Sequence, residues 1–201
     1  MYYKTPITGL GKNKPKFLFL FIAGIIILSI LLIAGYVYIY NAFFHSDARF
    51  DSIIADVSKH YALDPMLVKA VVWQESNFNP NAVGSKGEIG LMQLMMKSSV
   101  VDWENYNKRK IADKGILFNP KLNIEIGTWY LARNRNYWIN YKNCDALALA
   151  GYNAGYSNVK KWVPKNYKGS DVINLIQFPS TRKYVKSILK KYHSYQLNTK
   201  K

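Results

Sequence analysis

From Phe17 to Tyr40 the chain is an almost unbroken apolar run without a single charge. At about 1.5 Å per residue its roughly 24 residues make a helix about 36 Å long, enough to cross a bilayer core of about 30 Å with some tilt. A cleavable signal has a shorter core, roughly 7–15 residues, ending in a small-x-small site. This run instead closes on Tyr36, Tyr38 and Tyr40, with Phe43 and Phe44 beyond. Such aromatics suit the membrane–water interface. The sequence therefore predicts a retained transmembrane helix over 17–40. Lys4, Lys12, Lys14 and Lys16 precede it without an acid, whereas His45, Ser46, Asp47 and Arg49 just after it are close to neutral. The positive-inside rule places the N-terminus in the cytoplasm and the rest of the chain outside the cytoplasmic membrane.

Four parts follow from this reading: a basic, disordered tail over 1–16, the span over 17–40, one domain over 46–195 and a short tail over 196–201. A stretch of roughly 150 residues is enough for one real core. The formal net charge is +16, and all but the four tail lysines of that excess belongs to the outer domain. A basic surface suits nucleic acid, but a domain outside the membrane does not meet it. An acidic polymer of the envelope, or anionic lipid head groups, is the partner expected instead. Cys144 is the only cysteine, so no internal disulfide braces the fold; it reads as a small buried apolar residue.

The outer domain reads as mainly α. Phe50, Ile53, Ile54 and Val57 recur at helical spacing, with Ser46 or Asp47 as the cap. Asp64-Pro65 and Asn119-Pro120 pair an N-cap residue with proline at the first helical position. A helix is expected to open near Gly90 with Leu91, Leu94 and Met95. Asp145 leads an alanine-rich helix stopped by Gly155, Ser157 caps a short one, and Pro179-Ser180 starts the last. No stretch alternates with period two, so strands are expected to be few.

Among the glutamates, Glu104 reads as a surface residue and Glu125 as a surface or pairing group. Glu75 differs. It lies seven, four and three residues after Val68, Val71 and Val72, on the apolar stripe at the end of its own helix. Burial and the negative end of the helix dipole both disfavour its charged form. A carboxyl kept protonated near neutral pH is what a general acid requires. From the stripe alone, a glutamate pointing to water at a helix end is equally good a reading.

The neighbouring motifs add to this. Gln74-Glu75-Ser76-Asn77-Phe78-Asn79-Pro80 is followed by Gly87-Glu88-Ile89-Gly90-Leu91-Met92-Gln93, then Asn119-Pro120 with Asn123, Gly127, Tyr130 and Leu131, then Gly151-Tyr152-Asn153-Ala154-Gly155, and finally Ser180-Thr181-Arg182-Lys183-Tyr184-Val185. This ordered set resembles the catalytic domain of the soluble lytic transglycosylase type, related in fold to goose-type lysozyme. The resemblance implies a lysozyme-like helical domain with little or no β. It implies an enzyme that cleaves the β-1,4 bond between N-acetylmuramic acid and N-acetylglucosamine in peptidoglycan glycan strands, leaving a 1,6-anhydromuramic end. Glu75 matches the family's catalytic glutamate, acting first as acid and then as base. Gln93, Tyr152, Asn153 and Met95 match cleft-lining positions, and Ser85 and Ser76 are further candidates for substrate contact.

Four positions depart from the family pattern. Gly84 stands where serine is usual, with Ser85 beside it. Glu88 stands where a small residue is usual; it either adds a second carboxyl near the cleft or faces solvent, and the latter is the expectation. Met96 replaces a proline, and Ser180 replaces a glutamate before the Thr-Arg pair, which removes part of the polar network expected behind the tyrosine. Two other functions fit the same residues: a muramidase that adds water across the bond, or a non-catalytic wall-binding module within a cell-envelope assembly complex. His45, His60 and His193 are scattered without ligand spacing, so neither metal nor cofactor is expected.

Overall fold

The computed structural model describes Met1, residues 14–44 and residues 48–198. The expected tail over residues 2–13 and residues 199–201 lie outside the described residues, as do Ser46 and Asp47 themselves; the first helix of the outer domain starts at Asp51 with Phe50 as its N-cap, so neither of the two expected residues caps it. The chain divides into two units, Met1–Ser46 and Asp47–Lys201.

The first unit is one helix, α1 (Lys14–Phe44), three residues longer at its start and four at its end than the run that announced it. Within it Leu18–Tyr40 has a mean hydropathy of 3.0 and no buried residues, so this helix is long and apolar enough to cross a membrane. Ser29 returns its hydroxyl to the Ile25 carbonyl at 2.8 Å. The one polar side chain in mid-run is thus satisfied within the helix, as lipid requires.

The second unit is helical, with no strand among the described residues. Its helices are α2 (Asp51–His60), α3 (Pro65–Ser76), α4 (Val101–Asn107), α5 (Pro120–Tyr137), α6 (Cys144–Ala154), α7 (Tyr156–Trp162) and α8 (Pro179–Asn198). A π turn over Met96–Val100 leads into α4, and a 3₁₀ turn over Lys114–Phe118 leads into α5.

α3 is the central element. Leu67, Val68, Ala70, Val71 and Val72 are all at most 1 % exposed, so it is buried nearly all round, as a core helix should be. It packs against α2 and α8, while α6 packs against α5, α7 and α8. Each fully buried Leu or Val stabilises the fold by about 1.5–3 kcal/mol. Local signals set the start of α3: Asp64 Oδ1 accepts the Met66 N–H at 2.8 Å, and Pro65 takes the first helical position. Asp64 Oδ2 also accepts the Tyr192 hydroxyl at 2.6 Å, tying this end of α3 to the far end of α8. Asn119 caps α5 in the same way, through the Leu122 N–H at 3.1 Å.

Four further expectations are corrected. No helix opens at Gly90. Residues 89–95 form turns held by isolated bridges, Val83 with Ile89 and Ile89 with Leu94. Gly90 and Gln93 both have positive φ, and Asn123 captures the Met92 N–H, so the backbone has no helical continuation there. Helix α7 begins at Tyr156, directly after Gly155, so Ser157 is not its cap. Glu104 is buried, not on the surface; its carboxylate accepts the Ile111 N–H at 2.6 Å and pairs with Lys110 at 3.4 Å. Cys144, expected to be buried, is only half-buried, because it stands at the first position of α6.

Candidate active site

Glu75 sits in the last turn of α3. Ser76, next to it, donates its hydroxyl to the carbonyls of Val72 at 3.2 Å and Leu91 at 2.8 Å. The helix end is therefore pinned to the loop that crosses it. Asn77 then leaves the helix in the left-handed conformation and donates its N–H to Trp73. Ser76 thus anchors backbone and does not line the cavity described below.

The crossing loop is organised by Asn123, buried on α5. Its Oδ1 accepts the Met92 N–H at 2.8 Å, and its Nδ2 donates to Ile89 O at 2.9 Å and Leu117 O at 2.7 Å. One side chain thereby satisfies three buried backbone groups. Gly90, with φ of 76°, makes room for it: a Cβ there would meet Asn123 Nδ2 at 2.3 Å. Tyr152 closes the arrangement from α6 by donating its hydroxyl to Met92 O at 2.7 Å.

These elements enclose a cavity of about 130 Å³. Glu75 lines it with Gln93, Met95, Tyr152 and Asn153, so the structure brings five of the seven sequence candidates together. Ser98, Ser99 and Tyr130 line it as well. So does Glu88, and the expectation that Glu88 faces solvent is corrected. Ser85 is exposed and is not among the lining residues. A second cavity, of about 650 Å³, shares Asn153 with the first and is lined by Gln74, Lys86, Phe178, Thr181, Lys183 and Tyr184 among others.

The side chains at the cavity are held in place. The Gln93 amide donates to Gly90 O at 2.9 Å and Ala82 O at 3.3 Å, which leaves its Oε1 to accept. Asn153 Oδ1 accepts the Thr181 hydroxyl at 2.7 Å. Tyr130 stacks edge-on against Tyr152 with ring centroids 5.4 Å apart. Arg182, from the Thr-Arg pair, spends its guanidinium on Ile176 O, at 2.6 and 3.2 Å.

Tyr184 was not given a role by the sequence. Its hydroxyl donates to Glu75 Oε1 at 2.6 Å from the opposite helix α8. Burial pushes the Glu75 carboxyl up from its ordinary 4.5 to about 7; the nearby Glu88 charge adds to the rise, and the Tyr184 hydrogen bond works against it. Burial, and then the Glu75 charge, push the Tyr152 and Tyr184 phenols well above their ordinary range. Both phenols therefore remain neutral donors. A carboxyl titrating near neutrality can give a proton and, once ionised, take one back.

Replacing Tyr184 by phenylalanine removes the hydrogen bond that favours the ionised form of Glu75. Its titration, followed by ¹³C NMR of the labelled carboxyl, is expected to move to higher pH. A midpoint that stays in place or falls would show that the tyrosine does not act on Glu75.

Among the described residues no group of three His, Cys, Asp or Glu side chains is placed to hold a metal ion.

Known proteins resemble this chain in sequence and in fold. The family model described as Transglycosylase SLT domain matches residues 52–174. Membrane-bound lytic murein transglycosylase E of Buchnera aphidicola is 29 % identical over 206 residues, covering 90 % of this chain and 92 % of the relative. Soluble lytic murein transglycosylase of Escherichia coli K12 is 29 % identical over 152 residues, but the match takes in 72 % of this chain and only 23 % of that protein. Membrane-bound lytic murein transglycosylase C of Salmonella arizonae is 32 % identical over 123 residues, or 57 % of this chain and 34 % of the relative. Among solved structures, an inactive mutant of lytic transglycosylase Slt from Pseudomonas aeruginosa superposes with a TM-score of 0.64 at 28 % identity, covering 73 % of this chain and 24 % of its own. The 70-kDa soluble lytic transglycosylase of E. coli gives 0.63 at 26 % identity, over 76 % and 26 %. This chain thus spans about a quarter of the soluble relatives and nine-tenths of the Buchnera one.

Proposed function

The chain belongs to the transglycosylase SLT domain family, and on that basis we propose that it is a membrane-anchored lytic transglycosylase of peptidoglycan. Its substrate is the glycan strand, cut at the β-1,4 bond between N-acetylmuramic acid and N-acetylglucosamine. The observation that carries this reading is the Glu75 carboxyl, buried at the cavity wall, titrating near neutrality and in contact with Tyr184.

In the proposed reaction protonated Glu75 gives its proton to the glycosidic oxygen as the bond to C1 breaks. The resulting carboxylate is stabilised by the Tyr184 hydroxyl. It then takes the proton from the muramic C6 hydroxyl, whose oxygen closes onto C1. The proton count balances, Glu75 returns to its starting form and no water is consumed. Most glycosidases use two carboxylates, one of which activates water or attacks C1. In this proposal neither task arises, and the substrate's own acetamido group supports the positive charge at C1.

The other lining residues position the strand. Gln93 Oε1 and Asn153 offer hydrogen bonds to sugar hydroxyl and acetamido groups. With the Tyr152 phenol held by Met92, its ring is the part left to pack on a sugar face. Met95, 37 % exposed, adds apolar surface at the floor. Lys86 and Lys183 in the adjoining cavity suit the carboxylates of the polymer.

The anchor and orientation complete the proposal. Helix α1 is retained in the cytoplasmic membrane, the N-terminus is inside, and the domain from Asp47 faces the wall. Digestion of purified sacculi by the full chain in detergent micelles tests the activity. Release of fragments ending in 1,6-anhydromuramic acid supports the lyase, whereas reducing muramic ends would establish the hydrolase instead.

A further inference from the structure

Glu88 is the second carboxylate at the cavity that holds Glu75, and the reaction above gives it no task. Its presence there depends on a missing side chain. A Cβ built on Gly84 would lie 2.4 Å from Glu88 Oε2, 2.9 Å from Glu88 Cδ and 2.7 Å from Gln93 Oε1. Real Cβ contacts are never so short, so Glu88 occupies space that any other residue at position 84 would fill. The carboxylate is also fastened there. Glu88 Oε2 accepts the Lys86 N–H at 2.8 Å, and the Gly84 N–H donates to the Glu88 carbonyl at 2.8 Å. Gln93, whose amide hydrogens are both taken by backbone carbonyls, turns its own acceptor oxygen toward the same spot.

We propose that Glu88 is a positioning residue of this site: let into the cleft by Gly84, its negative charge keeps Glu75 in the proton-donating form. The inference rests on the reading of Glu75 as the general acid. The groups that face Glu75 are few. Tyr184 comes from α8 and Tyr152 from α6, both neutral phenols; Tyr130 of α5 lines the same cavity, and Lys86 and Lys183 line the adjoining one. Among the described residues Glu88 is the one acidic group at the cavity wall besides Glu75. Two like charges sharing a half-buried cleft disfavour double ionisation, so the more buried carboxyl holds its proton to higher pH. The electrostatic influence of Glu88 on Glu75 agrees with this geometry.

Two substitutions test it on the full chain in detergent micelles. Glu88→Gln keeps the shape and can still accept the Lys86 N–H, but carries no charge. Gly84→Ala leaves Glu88 chemically intact and forces its carboxylate out, together with Gln93 Oε1; both are far ends of flexible side chains, so the fold should survive. In both variants the basic limb of kcat/KM on sacculi is expected to move to lower pH by roughly half a unit to one unit, the order for a like charge across a partly wet cleft. The ¹³C-observed titration of Glu75 should move with it. An unmoved Glu75 titration in Glu88→Gln, with the fold intact by circular dichroism, would overturn the proposal. A Gly84→Ala profile identical to the unsubstituted protein would overturn the part assigned to the glycine. Failure of the underlying reading looks different: Glu75→Gln would then retain cleavage, whatever the Glu88 variants do.

Discussion

Glu75→Gln is expected to lose glycan cleavage by about a thousandfold or more, within the range of roughly 10²–10⁴ that a positioned general acid contributes, since one group serves both proton transfers. The same variant is expected to be more stable than the unsubstituted protein above neutral pH. Glu75 titrates near 7 in the fold against an ordinary 4.5. The folded state therefore binds this proton more tightly than the unfolded chain. The associated stability is fully present below about pH 4.5 and is lost as pH rises through 7. The loss is on the order of 2 kcal/mol, allowing for the partial exposure of the group. Glutamine is neutral throughout and escapes it, while its Oε1 can still accept the Tyr184 hydroxyl. At pH 8 its Tm should be higher by roughly 5 °C, and the difference should vanish near pH 4. Equal melting at pH 8 would mean that the carboxyl is not desolvated in the fold. Retained cleavage would remove Glu75 from the chemistry.

Asn123→Leu is expected to have the largest effect on the fold of any change distant from the reacting bond. It removes all three hydrogen bonds that tie α5 to the loop and leaves the Met92 N–H, the Ile89 carbonyl and the Leu117 carbonyl buried without that partner. The Ile89 carbonyl still accepts the Leu94 N–H at 3.0 Å, so two groups lose their partner outright; at about 1–3 kcal/mol for each, partly offset by relaxation, the cost is about 2–4 kcal/mol. Tm should fall by roughly 10 °C. Cleavage should drop even where the protein remains folded, because Glu88 and Gln93 both ride on this loop and small misplacements cost rate steeply. Thermal melts with sacculus assays at 20 °C check this. Unchanged melting would show that Asn123 is dispensable to the loop.

Much of this was legible in the sequence where the signal is local. Asp64-Pro65 and Asn119-Pro120 start helices because cap and proline act within three residues. The stripe of Val68, Val71 and Val72 left Glu75 level with a water-facing glutamate, and the ordered motifs around it singled it out. The π turn and loop over 89–100 were not legible. Leu91, Leu94 and Met95 have helical spacing, but a partner 31 residues away takes the Met92 N–H. Tyr184 was hidden for the same reason, since its bond to Glu75 joins residues 109 apart. Gly84 and Glu88 read separately as two losses from the family pattern. Only the space between them shows that one accommodates the other.

The resemblance to soluble relatives also has a consequence for how the activity is confined. This chain spans about a quarter of their length and carries its own apolar helix. In the proposed arrangement that helix limits cleavage to strands within reach of the membrane, and the basic surface of the domain favours the acidic polymer there.

In the proposed reaction one carboxyl acts twice and no water enters the product. Mass spectrometry of fragments released from sacculi in ¹⁸O-labelled water tests it most directly. Muramic ends one water lighter than a hydrolysis product and free of ¹⁸O are expected. Reducing ends carrying one ¹⁸O atom would contradict it and make the protein a muramidase on the same fold.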